Sequence, residues 1–539
     1  MTPAVTPTAR SIAALSPADV AAGVVPRLHA LVVHRAQAVA AADARRRVTY
    51  GQLARQAGLV REAVRATPGN GAVGLLHGHD AQAVGAMLGV LASGRPLVVL
   101  DPRSPAPRLR QLLSRARAGV CVTDAAHADL AAGAAPRVVV AERLVPSADT
   151  LDQLWSAPPD PTRPAVLAFT SGTTGRPKML ANSHRMLVRD ALAVSGGCYD
   201  AGDVVAHTLP MAFHAGLLAA LAGMLVGATL QFHDVRTGGI ATLAPWLHDS
   251  GATVAQLSPA TARALVALRP DPALLAGLRA VTVTGEPFHG RQAEALRALL
   301  PAGCVLHNRY GSSETGLVCD HPVRAGDALP HGPLPVGTAV PGLTVSLVDP
   351  DGVTVAGQGP GVVAVTGPDL GSGYWDDPQA TAAAFTDNGD GTRTYRSNDL
   401  GRFDDDGLLH LLGRRDFSVR IGHDLVEPGE VDAALFELPE VREAVTVGVP
   451  VPADADADGA TGATGVEGPD GVDGVGPSHQ LVAYLVLHEP GSLDGAAVRE
   501  RLGAVLPPHM VPAAVVLLDA LPTTDRGKVD RSALPPPSV

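Results

Sequence analysis

Short apolar runs separated by helical periods set the tightest limit on how this chain folds. Val/Leu-rich runs of strand length lie at 72–76, 96–100, 119–122 and 137–140, and helix-like stretches such as 80–92 and 107–116 fall between them. Strands alternating with helices close through crossovers, which lay the strands parallel in a sheet covered by helices. The rhythm continues through 165–170, 183–194 and 204–209. The runs at 345–348, 361–365 and 408–412 are instead set off by Gly and Asp turns, as in antiparallel sheets. A smaller α+β unit begins near Phe417. The expected fold is therefore α/β: a large N-terminal domain of mixed sheets packed with helices (1–415, with a loose tail at 1–17) and a small, mobile α+β C-terminal domain (416–539).

The 539 residues are 46% hydrophobic and 18% charged, enough for several cores, but only 3% aromatic, so Val, Leu and Ala must fill them. A net charge of -11 argues against a nucleic-acid partner, which needs a basic footprint. It does not argue against a nucleotide held by a local site. Cys121, Cys198, Cys304 and Cys319 form no CxxC pair and fit neither a zinc site nor a disulfide framework. Free thiols and the lack of a signal-peptide pattern at the N-terminus lead to a cytoplasmic expectation. The uncharged stretch 211–232 imitates a membrane span, but its Gly, Ala and His content, directly after Pro210, reads as a buried helix. Between 459 and 474 Gly recurs at every third residue with too little Pro for a triple helix, so 453–478 is expected to be a flexible loop without a catalytic role.

The strongest chemical signal is LAFTSGTTGRPKM at 167–179. An apolar strand enters a loop of Thr170, Ser171, Gly172, Thr173, Thr174 and Gly175, then reaches Lys178. Small hydroxyls and flexible glycines let O–H and backbone N–H groups wrap phosphate oxygens, and the Lys adds a cation. The pattern is not a Walker A loop. Four further motifs follow: NRYGSSET at 308–315, YRSNDLG at 395–401, GRRD at 413–416 and LPTTDRGKVDRSAL at 521–534. In this order they resemble the adenylate-forming superfamily of acyl-CoA synthetases, nonribosomal peptide synthetase adenylation domains and luciferase. The resemblance runs from about residue 25 to 534. LDPRSPAPRLRQLL at 100–113 looks most like the peptide-synthetase branch, and the whole is closest to a freestanding adenylation domain.

That resemblance implies ATP and Mg²⁺ as cofactors and assigns roles. Tyr310 stacks on adenine, whose flat face suits an aromatic ring. Ser313 stands where a Thr usually contacts the α-phosphate, and Glu314 offers Mg²⁺ a hard carboxylate oxygen. Gly285, Glu286 and Pro287 line the adenine slot. Asp399 takes the ribose hydroxyls. Asn398 replaces a usual Gly next to it, a light departure because both residues tolerate positive φ. Arg414 contacts ribose and Asp416 is the hinge of the small domain, the alternative being a plain charged turn. Lys528 falls on the catalytic lysine, where a cation stabilises the charge that gathers as the carboxylate attacks the α-phosphate.

For the acid pocket the resemblance designates Phe213 as a gate, followed by His214 where amino-acid-activating members carry an Asp for the α-ammonium. An ammonium buried without an anion is costly, so an ordinary α-amino acid is a poor candidate. Ala215, Leu218, Gln256, Thr282, Thr284, Arg309, Leu317 and Val318 complete the pocket, and the polar trio Gln256, Thr282 and Thr284 disfavours a long alkyl chain. Arg309 either pairs with a second acidic group of the substrate or points outward as a surface Arg. The stretch VRIGHDLVEPGE at 419–430 departs from the family pattern: Gly422 comes one place early, His423 takes its site, and Leu425 replaces an Arg. Adenylation is thus better supported than thioester formation. The expected activity is ATP-dependent activation of a small or polar acid without a free α-ammonium. The acyl group then passes to the phosphopantetheine thiol of a separate carrier protein, since the sequence ends soon after Lys528. Transfer to CoA, an amine or another nucleophile is the first alternative, and a silent nucleotide-binding partner protein the second. No nucleic-acid or membrane partner is expected.

Overall fold

Two large sheets realise the alternation. In a computed structural model the described residues are 14–145, 154–155, 157–170, 178–196, 198–330, 332–349, 351–355, 357, 359–415, 419–421, 424–426, 428–450, 479–524 and 528–537. The first sheet has seven strands, centred on Val73–Leu76 between Leu97–Leu100 and Val120–Thr123, all parallel. Its other side is closed by the antiparallel pair Pro164–Thr170 and Lys178–Ser183. The second sheet has nine strands, with a parallel centre of Val204–His207, Val254–Leu257, Ala280–Thr284 and Val305–Ser312. The strand Gly316–Val323 returns antiparallel to the last of these. A third, five-stranded sheet is antiparallel, as expected from its Gly and Asp turns. Beyond it come a two-stranded hairpin and a three-stranded sheet, which form the smaller unit.

Local chemistry explains the helices that frame the site. Asp80 caps Ala81–Ala92 by accepting from the amides of Gln82 and Ala83. Ser183 caps His184–Ser195 by accepting from the Met186 amide. His214–Val226 ends at Gly227 with φ 95, a left-handed cap that a side chain would strain. This last helix is the one that imitated a membrane span. It is buried from Gly216 onward between the two large sheets, and no described helix is long and apolar enough to cross a membrane.

Two expectations need correction. The loose tail does not extend to residue 17: Leu15 is in the core and Ser16 forms a capping box with Asp19 that starts the helix Pro17–Ala22. Asn398 lies inside the continuous strand Arg393–Phe403 and has no positive φ, so tolerance of that conformation is not why it is accepted there. The phosphate-loop residues Ser171, Gly172, Thr173, Thr174 and Gly175, the hinge candidate Asp416, Gly422, His423 and the Gly-rich stretch 453–478 lie outside the described residues.

In the smaller unit the helix Pro428–Phe436 packs its Val431 and Leu435 against Val441, Leu481, Ala483 and Leu485. It also meets the large unit. Both Nη atoms of Arg291 donate to the carbonyls of Phe436 and Glu437, at 3.3 and 3.0 Å, and the His289 and Phe436 rings lie 4.1 Å apart. On the same helix, burial pushes the Asp432 carboxyl up to about 7 against the pull of Thr446, and its Oδ1 is shut off from solvent with no partner among the described residues. A carboxyl whose folded pKa exceeds its unfolded value of ~3.9 contributes stability below that value, and the contribution is lost as pH rises through 7. Asp432→Asn, a neutral isostere, should therefore stabilise the protein at pH 8 by an order of 2–4 kcal/mol. The gain should shrink toward pH 5, as read by denaturant unfolding at the two pH values. An equal effect at both would show that ionisation is not the cause.

Candidate active site

The strand Val305–Ser312 and the third sheet bring three of the expected nucleotide residues together. The Tyr310 hydroxyl donates to Asp399 Oδ2 at 2.6 Å, and Arg414 Nη1 lies 3.4 Å from Asp399 Oδ1. Asp399 and Arg414 are register partners on adjacent strands of the third sheet, so one carboxylate joins residues of two sheets. Burial, and then the Asp399 charge, push the Tyr310 phenol well above its ordinary value, so it stays a donor. Such a group offers a ring face, an acceptor and a cation to an adenosine.

A second group lies one turn further on. Glu314 is buried and accepts from the Tyr374 hydroxyl at 3.0 Å. The Lys178 ammonium sits 4.9 Å from the centroid of the Tyr374 ring. Thr170 and Lys178 are register partners, so the two ends of the phosphate-loop segment face each other. Ser313 is half-buried next to Glu314. An oriented, hard carboxylate oxygen beside a cation and a hydroxyl fits Mg²⁺ and phosphate.

The third group comes from the chain's end. Gly285 has φ 105, so the turn before Glu286 favours glycine. Burial pushes the Glu286 carboxyl up, and the Lys528 ammonium is the largest charge pulling it back. Lys528 thus lies within electrostatic reach of the adenine-slot segment. It is solvent-exposed, in a short bridged turn where Thr523 pairs with Val529. Pro287 is exposed beside Glu286.

The acid-pocket candidates lie on one face of the nine-stranded sheet. Gln256, Thr282 and His307 are register partners across three strands. Thr284 and Arg309 follow on the same face two residues on, where the Thr284 hydroxyl donates to the Arg309 carbonyl. Asp190, Cys198 and Tyr199 face Arg309, so this surface is turned toward the helix His184–Ser195. Leu218, Leu317 and Val318 supply buried apolar wall, Phe213 is half-buried and Ala215 exposed at the mouth of the helix His214–Val226. One of the two expectations for Arg309 requires correction. It is buried, not a surface residue, and its Nε lies 3.4 Å from Asp320, which also takes His307 Nδ1 at 2.9 Å. Those two partners hold the Asp320 carboxyl below its usual range against burial. Asp320 thus offsets part of the Arg309 charge within the protein.

His214 has an environment the sequence did not show. Asn182 Nδ2 lies 2.9 Å from His214 Nε2 and also donates to the Ser313 carbonyl at 3.2 Å. Burial pushes the imidazole down to about 4, so it is neutral at pH 7. Asn182, Tyr374 and Asp320 are functional candidates that sequence reasoning missed. Asn182 carried no signal beyond its place at the end of a strand, and Tyr374 and Asp320 only that they are polar groups in apolar surroundings.

Comparison with known proteins agrees with this geometry. The family described as AMP-binding enzyme matches residues 28–375. The chain is 32% identical over 86% of its length to the probable non-canonical nonribosomal peptide synthetase CymA of Salinispora arenicola, of which it spans 6%. It is 30% identical to the L-proline–[L-prolyl-carrier protein] ligase of Streptomyces coelicolor, with 83% of each chain covered. The amide bond synthetase McbA of Marinactinospora thermotolerans shares the fold at a TM-score of 0.77 and 24% identity, covering 95% of this chain and 98% of that one. The chain belongs to the AMP-binding enzyme family.

Proposed function

We propose that this protein is an AMP-forming acid ligase that condenses a carboxylic acid with ATP to an acyl-adenylate and pyrophosphate, then transfers the acyl group to a carrier-protein phosphopantetheine thiol. The observation carrying the first half is the convergence of Tyr310, Asp399 and Arg414 beside Glu314 and Lys178, with Lys528 within electrostatic reach of Glu286. Tyr310, Asp399 and Arg414 hold the adenosine, with Gly285, Glu286 and Pro287 beside it. Thr170, Ser171, Gly172, Thr173, Thr174 and Lys178 cradle the phosphates, with Ser313 at the α-phosphate. Glu314 would hold Mg²⁺, which when bound shields the phosphate charge. Lys528 places a cation where negative charge grows as the acid oxygen bonds to phosphorus and pyrophosphate leaves. Phe213, His214, Leu218, Gln256, Thr282, Thr284 and Leu317 enclose the acid, and Arg309 braces the pocket through Asp320. Asp416 is the pivot on which residues 416–539 turn between the two half-reactions.

The thiol acceptor is supported by likeness to the prolyl-carrier-protein ligase. An amine acceptor is the second reading, favoured by the departures at Gly422, His423 and Leu425 from the pantetheine-lining pattern. The test is Mg²⁺-dependent exchange of pyrophosphate into ATP over a panel of acids, followed by acyl transfer to CoA, holo-carrier proteins or amines by mass spectrometry. Acid-dependent exchange is the expected result. AMP binding without exchange for any acid would favour a silent nucleotide-binding protein.

A further inference from the structure

The pocket face of the nine-stranded sheet changes character along its strands. Val205, Val254 and Ala280 form an apolar row packed in the main core. Two residues on, the same face carries His207, Gln256, Thr282 and His307, all buried. Polar atoms of each, His207 Nδ1 and Nε2, Gln256 Oε1, Thr282 Oγ1 and His307 Nε2, have no partner among the described residues. Buried polar atoms in native proteins are nearly always hydrogen-bonded, and an unmet one costs ~1–3 kcal/mol. A row of them on a substrate-binding face is a template for polar groups of the ligand.

His214 adds a donor of known polarity. The Ser313 carbonyl can only accept, so the Asn182 atom that contacts it is the amide nitrogen. That same nitrogen meets His214 Nε2, which must therefore accept. In the neutral ring the proton is then on Nδ1, and Nδ1 is buried with no partner among the described residues. Asn182 ties this ring to the backbone of Ser313, so the free N–H lies near the place of the reacting carboxyl and not at the distal row. Charge at the distal row is balanced internally by Arg309 and Asp320.

We infer that the acid carries a hydrogen-bond acceptor, a hydroxyl or oxo oxygen, next to its carboxyl, and an uncharged hydroxyl or amide group at its far end. His214 Nδ1–H engages the first and the Gln256–Thr282 row the second. This rests on the adenylation reading above and names its substrate class. A second anionic group would compete with Asp320 for Arg309, and an α-ammonium would meet an N–H donor in place of a carboxylate.

Binding of 5′-O-acylsulfamoyl-adenosines, stable mimics of the acyl-adenylate, tests it by calorimetry. The acyl groups are 3-phenylpropanoyl, its 2-hydroxy and its 2-hydroxy-3-(4-hydroxyphenyl) derivatives, phenylalanyl, succinyl, benzoyl and 2-hydroxybenzoyl, with AMP as reference. Each hydroxyl should improve affinity about tenfold over its parent in at least one series. His214→Leu should abolish the gain from the adjacent hydroxyl only, and Gln256→Leu the gain from the distal one only. Tightest binding of the phenylalanyl or succinyl compound, or no gain from hydroxylation, overturns the inference while AMP binding leaves the adenylation reading standing. Failure to bind AMP as well overturns both.

Discussion

Lys528→Ala should slow acid-dependent pyrophosphate exchange at least ~10²-fold, the scale for removing one preorganised charge stabiliser from a transition state. Affinity for AMP should change little, because Tyr310, Asp399 and Arg414 are untouched. Stability should also be nearly unchanged, since Lys528 is exposed and its burial supports no core. The loss is expected in kcat more than in the KM for ATP, as befits an interaction that strengthens only as charge develops. Exchange at the wild-type rate in this variant would remove Lys528 from the chemistry.

The second large effect is acid lability. Burial pushes His184 and His289 down to about 4, and His207 further, and all three are buried. A histidine whose folded pKa is depressed below its unfolded ~6.5 contributes stability above that value, and the contribution is lost as pH falls toward the folded pKa. At pH 4 His184 and His289 should each have cost about 3 kcal/mol, with a further loss at His207, a sum comparable to the 5–15 kcal/mol that holds a typical domain together. The melting temperature should therefore fall steeply between pH 6.5 and 4, before Asp320 and Asp124, both held below their usual range, begin to protonate. His184→Gln should flatten that slope by about one proton. A melting temperature constant from pH 7 to pH 4.5 would show that the buried rings find protonated partners.

The strand–helix order was legible because burial imposes a period on the sequence. The expected runs at 72–76, 96–100 and 137–140 coincide with strands to within a residue or two, and the stretch at 183–194 is the helix His184–Ser195 with Ser183 as its cap. Tyr310, Asp399 and Arg414, expected from motifs to serve one site, are brought within bonding distance of one another by the structure. Side-chain partnership was not legible. Arg309 could be read as substrate-facing or outward because periodicity says nothing about an Asp320 on the returning strand, whose contact with a buried Nε removes the outward reading. The polarity of His214 likewise depends on Asn182 and on a carbonyl 131 residues away from it, a relation no local pattern encodes. Asn398 went astray for a simpler reason: its residue type tolerates a conformation that its strand never asks for.

Arg291 holds the smaller unit by its main chain, at the carbonyls of Phe436 and Glu437. Those oxygens lie at the end of the helix Pro428–Phe436, where helical carbonyls lack partners of their own and are free to accept from outside. A guanidinium that reads only carbonyls is indifferent to the side chains carried by the residues it grips. A substitution at residue 437 therefore leaves this grip of Arg291 on the main chain in place.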